Sequence, residues 1–437
     1  MAAVGSFTVG LSPLGHGPDH PAGRSYASTG AYTLPAGAGT DESGASAPVD
    51  YGRSGTVEIT VRDAFTGAPV FLNYPVTGGS IVEDLDSSGY ASGTWESAGL
   101  TQLDYNLLGS GTLNAGVVQI SVRTRLGTDA AYVERLVTLG RFYIEEIRRR
   151  ADPGNFAATF VLVGQSRGSQ GAAVAGDLTG AAAGTAGRLG LMADGRASIE
   201  GIACWLLEQG GRSVRLSSGF LSAHSPTPAF QVLVDGVYVG PYSMGTRQAA
   251  AVLKQALLET GTYFGSDPDG TAVLTPWPDG LSAPPSATPV RSYGYGTEDH
   301  PYVFVGPAPI VKPAAVSVIQ QSALFATRTV TIAVSGGEDA GVVRYFGHFR
   351  PVAGDPDDHQ TRRANQFAAR FVMSGETVEI GVVADGSVHA GDAVRIDASS
   401  HGISPGIFLV TRATHPLSPD NFSGSLVCQR LAHTWTG

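Results

Sequence analysis

The sequence has only two cysteines in 437 residues, Cys204 and Cys428, far apart and without a Cys-x-x-Cys pair. That argues against a disulfide framework or a structural zinc site and fits folding in a reducing compartment. Long apolar runs are also missing. None approaches the roughly 18 residues a membrane helix needs, and the first residues offer neither the basic nor the apolar region of a secretory signal. No stable membrane insertion is therefore expected. Positive charge is scarce: 28 Lys and Arg stand against 38 Asp and Glu, a net charge of -10, and only Lys254 and Lys312 are lysines. Binding to phosphate backbones needs a positive surface, so general nucleic-acid binding is not expected.

What the chain does have is glycine and proline, 59 and 26 of them, with 42% apolar residues and only 15% charged ones. This balance suits short strands joined by many turns and disfavours long helices. The length is comfortable for two to four domains, each with its own core. Residues 1–55 are rich in Gly, Ser, Ala and Pro and read as an N-terminal extension without a core.

From residue 56 to about 170 the pattern is β. Val57, Ile59 and Val61 alternate with polar neighbours, as do Val118, Ile120 and Val122, and Phe142 and Ile144 continue the alternation. This period of two marks half-buried strands. Residues 160–163 are apolar enough for a more central strand. The Gly/Ala-rich run 166–195 reads as a loop or linker.

Residues 171–310 read as an α+β insertion. One helix is predicted from about Ser198 to Gly210, with Ile199, Ile202, Ala203 and Leu206 inward. A second starts at Thr246 as cap, buries Ala249, Val252, Leu253, Ala256 and Leu257, and stops at Gly261, where a left-handed C-cap is expected. Residues 231–239 and 271–274 read as strands beside them. From 311 to 437 β patterning returns in Val330, Ile332, Val394, Ile396 and the segments 407–412 and 425–431. One helix, carrying Ala364, Phe367, Ala368, Phe371 and Val372 after Asp357 and Asp358, interrupts it and ends at Gly375. The fold class expected is mainly β with an α+β insertion.

Several residues invite chemical readings. Gly164-Gln165-Ser166-Arg167-Gly168 matches the nucleophile-elbow pattern, with His389, His401, His415 or His433 as a possible base. An elbow belongs in a parallel βαβ sheet, which the surrounding strands and turns do not suggest. Asp355, Asp357, Asp358 and His359 offer oxygen and imidazole ligands; the plainer reading is a solvated loop feeding a helix. Asp267, Asp269 and Gly270 resemble a calcium loop but place Gly265 and Pro276 at ligand positions, so a hairpin turn is expected. Glu83, Asp84 and Asp86 form a candidate acid/base group, and such carboxylates are common on solvated strands. Tyr293, Tyr295, Tyr302 and Phe304 suit sugar stacking or, more simply, an interface. Cys204 beside Trp205 reads as a core thiol. No residue is assigned a catalytic, cofactor-binding or metal-binding role.

Three segments carry a family resemblance. Residues 134–144, from Glu134 through Leu139-Gly140-Arg141-Phe142 to Ile144, resemble the segment ending the first barrel of tail proteins in phages of actinobacteria, with Thr138 in place of the usual proline. The helix at 248–258 followed by a hairpin at 263–276 is similar to the same family's middle region. Gly391-Asp392-Ala393-Val394, then Gly406-Ile407-Phe408-Leu409-Val410, resembles the close of the second barrel in phage baseplate hub proteins, with Phe408 where tyrosine is usual.

The resemblance implies a structural tail-tip or baseplate hub without enzymatic activity, built from two tube-like β-barrel domains flanking the α+β region. Three chains would then form a homotrimer that continues the tail tube as a DNA conduit. Implied partners are the distal tail protein or tail tube, the tape measure protein and tail fibre or tip proteins, with phage DNA only in transit. The implied place is the virion tail, after synthesis in the host cytoplasm. Two other functions stay readable: a serine hydrolase using Ser166, and a sugar-binding tail adhesin using the aromatic loop.

Overall fold

The computed structural model describes residues 5–8, 32–33, 48–49, 54–63, 76–86, 90–109, 117–128, 131–152, 155–164, 173–174, 178–192, 198–210, 212–227, 232–234, 237–239, 247–267, 269–277, 289–294, 302–305, 313–320, 328–333, 339–349, 377–383, 386–399, 403–418 and 423–431. The helix expected after Asp358 lies outside them.

The period-two segments are strands, and most of them join one 13-stranded sheet. Its N-terminal part runs Ser54–Asp63, Val117–Thr128, Ala131–Asp152, Asn155–Gly164, Ala91–Leu100, Gly78–Asp84, each antiparallel to the next. The C-terminal part runs Ile403–Pro416, Ser423–Arg430, Thr377–Val383, Tyr302–Val305. Ala393–Ala398 pairs with the first half of Ile403–Pro416 and carries Arg291–Gly294 on its other side. Arg291–Gly294 and Tyr302–Val305 precede residue 311, yet their partners are strands of the C-terminal part. Pro313–Gln320, Arg328–Ala333 and Asp339–Phe349 form a separate three-stranded sheet.

Alternation delivers the burial the sequence predicts. Val118, Ile120, Phe142, Ile144, Phe160 and Leu162 all point into one core. Trp95 and Phe160 sit opposite each other on paired strands and stack at 4.0 Å. Fully burying aromatics of this size contributes roughly 2–3 kcal/mol each. The second core gathers Ile380, Val394, Ile396, Phe408, Val410 and Cys428. Residues 134–144 lie within the 22-residue strand Ala131–Asp152. There the register slips between Ile120 and Ser121, and Gly140 takes φ +144°, so Leu139 is the extra residue of a bulge. Thr138 meets Ser121 hydroxyl to hydroxyl at 3.0 Å, a buried pair that a proline could not make.

The main-β class with an α+β insertion holds, but the described strands do not close into two separate barrels. The reason lies in the 14-residue strand Ile403–Pro416. Its first half pairs with Ala393–Ala398, and its last five residues pair with Gly78–Asp84 from the other unit: Arg412 with Asp84, Ala413 with Glu83, Thr414 with Val82, His415 with Ile81 and Pro416 with Ser80. One strand thus serves both units, and the sheet runs through the junction.

The middle region is α+β, as expected. Ile199–Gln209 is a helix whose N-cap Ser198 accepts the Gly201 N–H at 2.9 Å. Ala249–Thr260 ends at Gly261 in the left-handed conformation, φ +64°. Its N-cap is Gln248 rather than Thr246, which lies outside the described residues. The Gly/Ala-rich run is not a mere linker, because Leu178–Arg188 is a helix. Beyond Leu178 at its start, its buried side chains are small, Ala182, Thr185 and Ala186, so it carries little hydrophobic signal, yet smallness is what lets it approach Ile199–Gln209 closely. A Cβ on Gly201 would stand 2.8 Å from that of Ala186. Cys204 is a buried core thiol, raised above its ordinary pKa by burial.

Candidate functional site at the joint between the strand units

Side chains alternate across a pleated strand, so on Gly78–Asp84 the residues Ile81 and Glu83 face inward while Asp84 faces the other way. Asp84 meets Arg412 Nη2 at 2.6 Å near the surface, and its side chain also accepts the Asp86 N–H. The three carboxylates therefore do not share a site: Glu83 and Asp84 occupy opposite faces of one strand. This removes the acid/base candidate that the sequence offered.

Glu83 is 1% exposed. Its Oε1 lies 2.8 Å from His389 Nδ1, and its Oε2 accepts the Ala390 N–H at 2.9 Å. Tyr90 Oη donates to the Ala390 carbonyl at 2.9 Å and stands 3.4 Å from Oε2. His415 shares the inward face through its pairing with Ile81, and its Nε2 is 3.7 Å from Oε2. The two imidazoles are tilted against each other with centroids 5.6 Å apart.

The turn that delivers His389 is the Gly391-Asp392 motif. Asp392 Oδ2 accepts the His389 N–H at 2.7 Å, and Gly391 adopts φ +104°. The Gly391 N–H donates to Val410, and the Val410 N–H returns to Asp392, which locks the turn onto Ile403–Pro416. Burial pushes the Glu83 carboxyl up, but its attraction to His389 and His415 and the His389 hydrogen bond outweigh this and hold it well below the usual carboxylate range. Burial, reinforced by the Glu83 charge, pushes the Tyr90 phenol well above its own range. Burial likewise raises the Asp392 carboxyl, against the pull of His389.

The other candidates fall elsewhere. The strand before Ser166, Asn155–Gly164, is antiparallel to both neighbours, the wrong setting for a nucleophile elbow. Ser166, His401 and His433 lie outside the described residues, as do Asp355, Asp357, Asp358, His359 and Tyr295. Tyr293 is buried in the second core on Arg291–Gly294, so its ring is not open for sugar stacking. Tyr302 and Phe304 belong to the strand Tyr302–Val305. Asp267, Asp269 and Gly270 form the expected hairpin turn, closed by Gly270 N–H to the Asp267 carbonyl at 2.8 Å and tied to Arg215 Nη2 through Asp267 at 2.7 Å. Glu83, His389 and His415 were each visible as single candidates. Nothing in their spacing brings them together, since His389 follows Glu83 by 306 positions.

No protein-family model matches the sequence, and no curated protein matches it. Among solved structures, the chain is similar to a tail protein from Neisseria meningitidis, with a TM-score of 0.50 and 14% identity, covering 86% of this chain and 96% of that one. It also matches the 43 kDa tail protein of prophage MuSo2 from Shewanella oneidensis, with a TM-score of 0.49, 10% identity and coverage of 86% and 98%. A third match is an Escherichia coli component of the type VI secretion system, described as structurally similar to the T4 bacteriophage tail proteins gp27 and gp5. Its TM-score is 0.43 at 10% identity, covering 86% of this chain and 77% of that one. The fold is similar to that of the Neisseria meningitidis tail protein. No helix among the described residues is long and apolar enough to cross a membrane.

Proposed function

We propose that this chain is a structural component of a phage tail tip or baseplate, residing in the virion tail and working by assembly rather than by turnover. In this reading three copies form the hub that continues the tail tube as a DNA conduit, contacting the tail tube or distal tail protein, the tape measure protein and tail fibre or tip proteins.

The observation that carries the reading is the shared strand. Ile403–Pro416 fuses two strand units into one sheet whose described path ends on Gly5–Thr8 at one side and Tyr302–Val305 at the other. End strands are templates for pairing. A repeating head-to-tail contact between copies generates a ring when the rotation closes, and three copies with two units each would match a sixfold tube. The acidic balance of the chain suits a bore that must release DNA rather than hold it.

Sedimentation velocity and negative-stain images of the purified protein test this directly. The expected result is a trimer seen as threefold rings with a central hole. Compact monomers at every concentration would reject the hub. The hydrolase alternative has its own check: a fluorophosphonate probe is expected to leave Ser166 unlabelled, and stoichiometric labelling would replace a structural role with an enzymatic one.

A further inference from the structure

We infer that Glu83, His389 and His415 bind a divalent transition-metal cation of the zinc class, which pins the two strand units to each other. The three side chains offer one carboxylate oxygen and two imidazole nitrogens, all within 4.8 Å of one another. Two nitrogens and one oxygen form a donor set that suits zinc and its neighbours rather than calcium or magnesium.

A second, independent observation comes from His415. It is 3% exposed, and neither ring nitrogen has a hydrogen-bond partner among the described residues. At 3.7 Å its Nε2 is beyond a hydrogen bond to Glu83 Oε2. A buried imidazole with both nitrogens unsatisfied is costly, and buried polar groups usually have partners. Metal bonds of about 2 Å in a tetrahedral site place adjacent ligand atoms roughly 3.3 Å apart. Glu83 meets the two imidazoles through different oxygens, His389 Nδ1 at 2.8 Å from Oε1 and His415 Nε2 at 3.7 Å from Oε2, and no ligand atom lies more than 4.8 Å from another, so binding through one oxygen draws the widest pair in by up to about 1.5 Å.

The surroundings match what holds a metal ligand in place. Glu83 Oε2 is oriented by the Ala390 N–H, and the backbone of His389 is fixed by Asp392. Such outer contacts set the direction of the ligands. His389 is 26% exposed on its side chain, which gives a cation a way in and leaves room for solvent as a fourth ligand. The carboxylate comes from Gly78–Asp84 in the N-terminal unit, and both imidazoles come from the C-terminal one. The cation would therefore cross-link the sheet at its junction.

The test uses the full chain, stripped with a chelator and titrated with Co²⁺ alone, then with Zn²⁺ as competitor. The expected result is one Co²⁺ per chain with the visible absorption of a low-coordinate site, displaced by Zn²⁺, and a melting temperature that rises with Zn²⁺ concentration. His389→Ala is the main variant because its side chain is partly exposed, and it is expected to weaken binding at least tenfold. Should it fail to fold, His389→Gln, which keeps a polar group beside Glu83, takes its place. Absence of a saturable site in the wild-type chain, or undiminished affinity in either folded variant, overturns the inference. The readout is independent of subunit number, so it can fail while the hub reading stands.

Discussion

Glu83 Oε2 accepts the backbone N–H of Ala390 at 2.9 Å, although 307 positions of sequence separate the two residues. This bond and the ladder between Gly78–Asp84 and Ile403–Pro416 tie the first strand unit to the second.

Replacing Glu83 tests that tie. Glu83→Ala leaves the Ala390 N–H without its acceptor and His389 without its carboxylate, so a loss of about 3–5 kcal/mol is expected. The control is Asp84→Ala on the opposite face, whose partner Arg412 is half exposed and whose removal should cost less than about 1 kcal/mol. Urea midpoints for both variants, measured side by side, decide the matter; equal losses would mean that the inward cluster is not special.

The stacked pair in the first core sets a second expectation. Trp95→Ala removes a fully buried indole lying 4.0 Å from the Phe160 ring, and a destabilisation of about 3–5 kcal/mol follows from lost burial plus the cavity left behind. Denaturant unfolding followed by intrinsic fluorescence would register it, and a cost below 1 kcal/mol would show that the site collapses freely.

Gly201→Ala probes the small-residue contact between Leu178–Arg188 and Ile199–Gln209. Helix propensity alone would favour alanine by roughly 1 kcal/mol. The new methyl would sit 2.8 Å from Ala186 Cβ and 3.0 Å from Ser198 Oγ, so something must shift. Overpacking at about 1–3 kcal/mol is expected to prevail, giving a lower melting temperature; a rise would mean that the helices part without cost.

Cys204 and Cys428 are fully buried, and burial pushes both thiols well above their ordinary pKa. A thiol reagent at neutral pH is therefore expected to find no reactive group in the native chain and two in guanidinium chloride. Rapid native labelling of either would place that cysteine at a surface.

Much of the local structure was legible in advance. The alternation of Val118, Ile120 and Val122 marks a strand, a helix begins near Ser198 and Gly261 ends another. The helix Leu178–Arg188 was not, because after Leu178 its buried face is made of Ala182, Thr185 and Ala186, small residues that resemble linker composition. The nucleophile-elbow pattern around Ser166 is discounted from the sequence because three fixed positions in a Gly-rich chain specify no sheet direction, and the strand before it is antiparallel to both neighbours.

By itself the amino-acid order determined the strand periodicity, the stop of one helix at Gly261 and the turn at Asp269-Gly270, because each depends on residues within a few positions of one another. Which strand serves both units, and that Glu83, His389 and His415 converge, only the tertiary structure decided. β pairing is set by backbone hydrogen bonds between segments of any separation, and their register determines which side chains share a face.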